Sequence, residues 1–209
     1  NPTTYASNIL FIGNRSGIDV VDMANPTATV QNLWNHTNSW VSSLHIKAGT
    51  PDHVTYFTTG TTRIDDENNN FKENAIGPTH VYDFYEGTLS SNQSVLSTAI
   101  ENSYELPGLD VSPVHQDVYC MHVNEGTNDE FLIGTDKGLY HFTHSDLTPG
   151  SSGNPGTINK TIITGPPSTG DYRVTSITPV GGTKYIMTMN DFQYSNSNKA
   201  SVWLFDAST

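Results

Sequence analysis

Charge is scarce in this chain, and basic charge scarcer still. Charged residues make up 14% of the sequence, against about 25% in an ordinary soluble protein. Only 9 are Lys or Arg against 21 Asp or Glu, so the formal net charge is -12. Nucleic-acid binding draws on several cations to release phosphate counterions, and anionic bilayers attract basic segments. No stretch of the sequence clusters enough Lys or Arg for either, so no nucleic acid and no anionic membrane surface is expected as a partner. Cysteine is nearly missing as well. Cys120 stands alone, which excludes an internal disulfide, and its place in an apolar run points to a buried inert thiol rather than a reactive one. No apolar run approaches the roughly 18 residues of a membrane span. The chain begins at Asn1 with neither an initiator Met nor a signal peptide, so a processed product or an excised segment is expected.

Asn, Ser, Thr and Gly stand where the missing charge would be. Such a neutral, amide- and hydroxyl-rich surface suits an extracellular, cell-surface or virion-surface protein, with the periplasm as the alternative. Three stretches then say nearly the same thing: Trp40–Phe57, Asp117–Ile133 and Tyr172–Met187. Each is an apolar-alternating run, a turn containing Gly-Thr, and a second apolar run. Period-two alternation, β-branched and aromatic enrichment, and Gly, Pro, Asn and Asp between the runs all indicate strands. A first set of strands is expected at Val41–Ile46, Val118–Val123 and Arg173–Thr178, and a second at Ile9–Ile12, Val54–Thr58, Phe131–Thr135 and Tyr185–Met189. The third set is Ile18–Asp22, Val81–Tyr85, Leu139–Thr143 and Val202–Asp206, and weaker fourth strands fall near Thr29–Trp34, Ser94–Ile100 and Ile158–Thr164. The spacing is uneven because of loops, chiefly the insertion between Gly60 and Thr79.

An internal repeat of four-strand units predicts an all-β fold, best satisfied by a β-propeller. About four blade-like units are visible, at approximately 1–39, 40–109, 110–169 and 170–209, within a single propeller-like domain or propeller segment. Leu10-Phe-Ile-Gly-Asn-Arg-Ser-Gly-Ile-Asp-Val-Val-Asp-Met-Ala-Asn-Pro26 resembles the LVIVD-type propeller repeat of bacterial and archaeal surface proteins. Phe131-Leu-Ile-Gly-Thr-Asp-Lys-Gly-Leu-Tyr-His-Phe142 is similar to the blades of two-component-regulator sensor propellers. The resemblance covers two of the four units; the second and fourth depart from it, with long loops and no Gly opening the third strand. It implies a fold and says little about ligands. Unit one lacks a clear first strand and unit four a fourth, so a piece of a larger propeller or an assembly component is favoured over a self-contained ring. A β-sandwich is the alternative.

The richest polar segment is Arg63–Asn74. Asp66, Asn68 and Asn70 have the alternate spacing by which calcium loops present oxygen ligands, with Glu73 nearby. The turn glycine and distal glutamate of an EF-hand are absent, so a solvated hairpin insertion open to recognition is the leading expectation, and calcium its rival. His45 and His122 occupy equivalent strand positions and could share a metal, but the third copy has Thr178 there, and solvated or hydrogen-bonded histidines are favoured. His141 and His144 sit three apart and should point to opposite faces; His115 follows Pro113-Val114 in a loop. Glycosylation sequons stand at Asn14, Asn35, Asn92 and Asn159, a count that 20 asparagines would give by chance. Tyr82, Tyr140 and Trp203, with Phe84, Phe142 and Phe205 two residues on, are expected to pack between units.

No nucleophile motif or phosphate loop is present in the sequence, and no cofactor beyond a calcium ion is suggested. The leading expectation is a non-catalytic, surface-exposed propeller scaffold for protein binding or assembly, its partner a protein or further copies or blades. A carbohydrate-active propeller enzyme, with two converging carboxylates, is the first alternative. A periplasmic sensory or ligand-binding propeller of a larger receptor is the second.

Overall fold

The computed structural model describes residues 9–14, 17–23, 31–35, 39–48, 53–61, 63–65, 71–73, 83–89, 98–106, 118–135, 138–150, 156–159, 172–191 and 200–208. The chain divides into two compact units, Asn1–Ser103 and Tyr104–Thr209. Among the described residues the structure is all-β, with small antiparallel sheets and one 3-10 turn at His144–Asp146.

In the first unit β1 (Ile9–Asn14), β2 (Gly17–Asp22) and β3 (Gln31–Asn35) form a first sheet in chain order. A second sheet follows from β4 (Ser39–Lys47) and β5 (His53–Thr61). The insertion after β5 folds into a separate two-stranded ribbon of β6 (Arg63–Asp65) and β7 (Phe71–Glu73) before β8 (Asp83–Leu89) and β9 (Thr98–Glu105) complete the order β4-β5-β8-β9. In the second unit β10 (Val118–Asn124), β11 (Glu130–Thr135) and β12 (Gly138–Thr143) make a third sheet. After the 3-10 turn come β13 (Leu147–Thr148) and β14 (Gly156–Ile158), and the fourth sheet is β15 (Tyr172–Gly181), β16 (Lys184–Asp191) and β17 (Ala200–Asp206).

Two tight turns carry the expected glycines. Gly17 and Gly138 open β2 and β12 with φ of 135° and 123°, a region where a Cβ is strained and glycine is not. Where the connection is instead the long β5–β8 insertion, register is set by pairing alone. Thr58 lies opposite Phe84, as Gly134 lies opposite Leu139, Thr188 opposite Val202 and Gly13 opposite Ile18. Phe84 is therefore level with Ile18, Leu139 and Val202. This corrects the sequence alignment, which set Phe84 level with Phe142 and Phe205, three residues further along.

The first strands of the second, third and fourth sheets share a bulge. Register slips between Val41 and Ser43, between Val118 and Cys120, and between Val174 and Ser176, each time leaving one extra residue on that strand. The valine before the slip is buried in all three. In two of them the extra residue is a hydroxyl that meets the neighbouring strand: Ser42 Oγ lies 2.9 Å from Thr58 Oγ1, and Thr175 Oγ1 lies 2.9 Å from Thr188 Oγ1. Bulges of this kind add local twist and re-aim the flanking side chains.

The re-aimed valine has a specific seat. β4 lies against β1 and β2, and Val41 fills the space where Gly13 has no side chain; a Cβ there would stand 2.8 Å from Val41 Cγ1. β15 lies against β10, β11 and β12, and Val174 takes the same seat at Gly134, where a Cβ would stand 2.4 Å from the Val174 carbonyl oxygen. Around the second seat Leu132, Leu139, Val174, Tyr185, Met187 and Met189 form a buried cluster. Phe131, Leu132, Ile133, Gly134 and Thr135 of β11 are buried one after another, so both faces of this central strand are covered.

One strand expectation is met in its described part and another is corrected. Of the fourth strand expected at Ser94–Ile100, Thr98–Ile100 lie in β9, which continues to Glu105, and 94–97 lie outside the described residues. The one expected at Ile158–Thr164 does not extend the third sheet. β14 ends at Ile158, pairs antiparallel with β13, and runs parallel to Tyr104 and Glu105, the last residues of β9, which belong to the second unit, through Gly156–Tyr104 and Thr157–Glu105. Gly156 permits this approach, because a Cβ there would meet the Thr148 carbonyl oxygen at 2.4 Å. His144 starts a 3-10 turn where strand continuation was assumed. Thr143 caps that turn, both its N–H and its hydroxyl donating to Asp146 Oδ2 at 2.8 Å.

Candidate functional site

The most concentrated polar chemistry among the described residues lies between the third and fourth sheets. Strand alternation puts Glu130, Leu132 and Gly134 on one face of β11, with His122 and His141 level with Leu132 on the flanking strands. Tyr185 and Phe205, opposite each other in β16 and β17, approach that face from the fourth sheet.

Glu130 is the hub. Its Oε1 lies 2.8 Å from His141 Nε2, and its Oε2 accepts from Asn124 Nδ2 and from the Tyr185 hydroxyl, both at 3.1 Å. The Glu130 and His141 side chains are each 18% exposed. Rings surround them: His122 meets Tyr185 edge-on at 5.4 Å, and His141 meets Phe205 edge-on at 5.7 Å.

Burial between the sheets works to raise the Glu130 pKa, but the hydrogen bonds from Asn124, His141 and Tyr185 and the charge of the imidazole outweigh it. The carboxyl is held below its ordinary value. Burial and the carboxylate beside it push the Tyr185 hydroxyl up to about 12, so it stays a donor. With both Glu130 oxygens engaged, the cluster works as a charge-assisted pin between two sheets. The sign of its pH dependence follows. A depressed folded pKa gives stability that is complete above the unfolded value and is lost as pH falls through the ordinary glutamate range and then the lower folded value. Urea unfolding of the second unit is expected to weaken over that acid window, and Glu130→Gln to flatten the slope.

The other sequence-predicted positions scatter. Asp66, Asn68 and Asn70 lie outside the described residues, between β6 and β7, and Glu73 pairs with Arg63 across that ribbon. Asn92, His115 and Tyr82 also lie outside them. Asn14 ends β1 with its amide donating to Asp19 Oδ2, and Asn35 ends β3. Asn159 is exposed, with its amide donating to Thr148 Oγ1 at 2.9 Å. His45 and His122 are both half-buried, each four residues beyond the valine at the bulge. Among the described residues no three His, Cys, Asp or Glu side chains converge on a metal site. Cys120 sits at the Gly134–Val174 seat, with its Sγ 3.7 Å from the Val174 carbonyl oxygen, and burial pushes its thiol up to about 12. That pKa fits an inert role. Phe84, Tyr140 and Phe142 are fully buried, whereas Trp203 is exposed on the last strand of its sheet, correcting its expected packing role.

The Glu130 cluster was missed in the sequence. The signal lay in the third-strand alignment, where His141 stands at the place taken by Val20 and Leu204, with an acid two residues along the neighbouring strand. A titratable diagonal pair on an otherwise apolar face marks a polar seam. No protein-family model matches this chain, and no curated protein or solved structure matches it either.

Proposed function

We propose that the chain is a propeller-type scaffold on an extracellular, cell or virion surface, holding a protein partner or building an assembly without turning over a substrate. The observation that carries this is the recurrence of one joint. A bulged first strand inserts its valine at a glycine of the preceding sheet, at Gly13–Val41 in one unit and at Gly134–Val174 in the other. Sheets that each cover the face of the one before are how radial β-architectures bury their cores. The low fraction of charged residues and the abundance of amides and hydroxyls support the surface location, and a protein partner or further copies fit the apolar faces better than a charged ligand would.

The saturated Glu130 cluster supports a structural role for the best-formed acid–imidazole pair. Hydrolysis of a glycoside needs a second carboxyl group about 5–9 Å from the first. Glu130→Gln tests the point. It is expected to cost about 1–2 kcal/mol of stability in the second unit and to change no hydrolytic rate against a panel of aryl glycosides. Turnover by the natural chain that disappears in this variant would sink the scaffold reading and favour the enzyme.

A further inference from the structure

We infer that the outward face of the β15–β17 sheet docks a second copy of this chain, through the Leu10–Ile12 face of that copy's first sheet. This rests on the scaffold reading above and names its partner.

The fourth sheet has two unlike faces. One packs on the third sheet through Val174, Tyr185, Met187 and Met189. The other carries Ile186 directly opposite Leu204, and Val202 beside them, at 40%, 64% and 71% exposure. The cross-strand register shows what belongs on that face. Val202 stands where Ile18, Phe84 and Leu139 stand in the other three sheets, and all three of those are buried. Ile186 stands where Leu132 stands, and Leu132 is sealed by the inner strand of the following sheet. The geometry that fits the uncovered face is therefore another sheet of the same kind, continuing the stacking already made between the third and fourth.

The chain itself carries such a sheet. In β1 and β2, Ile18, Val20 and Gly13 face β4, while Leu10 and Ile12 point the other way and are exposed, as is Met23 beyond β2. Their counterparts, Thr55 and Phe57 one repeat on and Phe131 and Ile133 two repeats on, are fully buried. Each copy thus holds one uncovered following face and one uncovered preceding face, the two halves of a contact of the third-to-fourth-sheet type. On the fourth-sheet face Lys184 and Asp206 lie opposite each other across β16 and β17 and cancel, and on the first-sheet face the one acid, Asp19 opposite Ile12, accepts from the Asn14 amide. Because the two faces differ, association is head-to-tail rather than two-fold.

Sedimentation velocity over a range of protein concentration tests this. The natural chain is expected to gain mass with concentration and to pass beyond a dimer. Leu204→Asp and Ile12→Asp, both at exposed positions, are each expected to weaken association at least tenfold and to keep the natural circular dichroism. Mixing the two variants should restore a dimer and nothing larger, because only one intact pair of faces remains. A chain that stays monomeric at every concentration overturns the proposal, as does association that ignores Ile12→Asp, which would mean like faces pairing. Either result leaves the glycoside measurement on Glu130→Gln to judge the scaffold reading independently.

Discussion

Alanine at Gly134 is expected to be, with alanine at Gly156, the most damaging single methyl among the described glycines. The new Cβ would stand 2.4 Å from the Val174 carbonyl oxygen, 2.6 Å from Cys120 Sγ and 2.9 Å from Val174 Cγ1. A side chain can rotate away, but the backbone of β15, paired along its length with β16, cannot. Overpacking of this kind costs about 3 kcal/mol or more, which lowers the melting transition of the second unit on the order of 10 °C. Two comparisons calibrate it. Gly13→Ala meets a Val41 methyl at 2.8 Å and the Val41 carbonyl oxygen at 3.1 Å, and should cost about 1 kcal/mol. Gly126→Ala meets nothing nearer than 3.8 Å and should fall within about 0.5 kcal/mol of the natural chain. Calorimetry that gives Gly134→Ala and Gly126→Ala the same midpoint would show that the third and fourth sheets do not pack as described.

The second large effect separates two equivalent residues. Leu132 and Ile186 hold the same place in consecutive sheets, one sealed and one open to solvent. Leu132→Ala should lose about 3 kcal/mol, the transfer of its buried methyls plus the cavity left behind. Ile186→Ala should lose less than about 1 kcal/mol at dilute protein, since its side chain is already partly hydrated. Urea titrations at low concentration measure both. Equal losses would mean that the fourth sheet's outer face is covered in the dilute monomer. A loss at Ile186 that grows with protein concentration is the thermodynamic trace of docking, because association stabilises only the folded chain.

The strands were legible wherever tight turns fixed the spacing. β1–β2 and β11–β12 fall where alternation and the turn glycines placed them, because a short turn leaves one register available. Past the long insertion that constraint disappears, and the sequence alignment set Phe84 level with the wrong residues. Local pattern likewise could not show that Pro149, Gly150 and Gly156 lead the chain into a β13–β14 hairpin rather than a fourth strand; the parallel pairing of Gly156 and Thr157 with Tyr104 and Glu105, far earlier in the chain, decides that. The Glu130 pin was hidden for a similar reason. Its members come from four strands: cross-strand register brings Asn124 and His141 to the carboxylate, and the packing of the fourth sheet on the third brings Tyr185.

The slip shared by β4, β10 and β15 makes one residue in each strand dispensable to pairing. Val41 and Leu44 lie opposite Thr59 and Phe57, and Val174 and Ile177 lie opposite Met189 and Met187, so residues three apart share a face across the bulge. Excising Ser42, Tyr119 or Thr175 would return each strand to ordinary two-residue alternation while every remaining side chain kept its partner and its side of the sheet. Only the bend would be lost. Curvature in these inner strands is thus written separately from register, and a lineage could straighten or tighten the joint between sheets by gaining or losing a single codon.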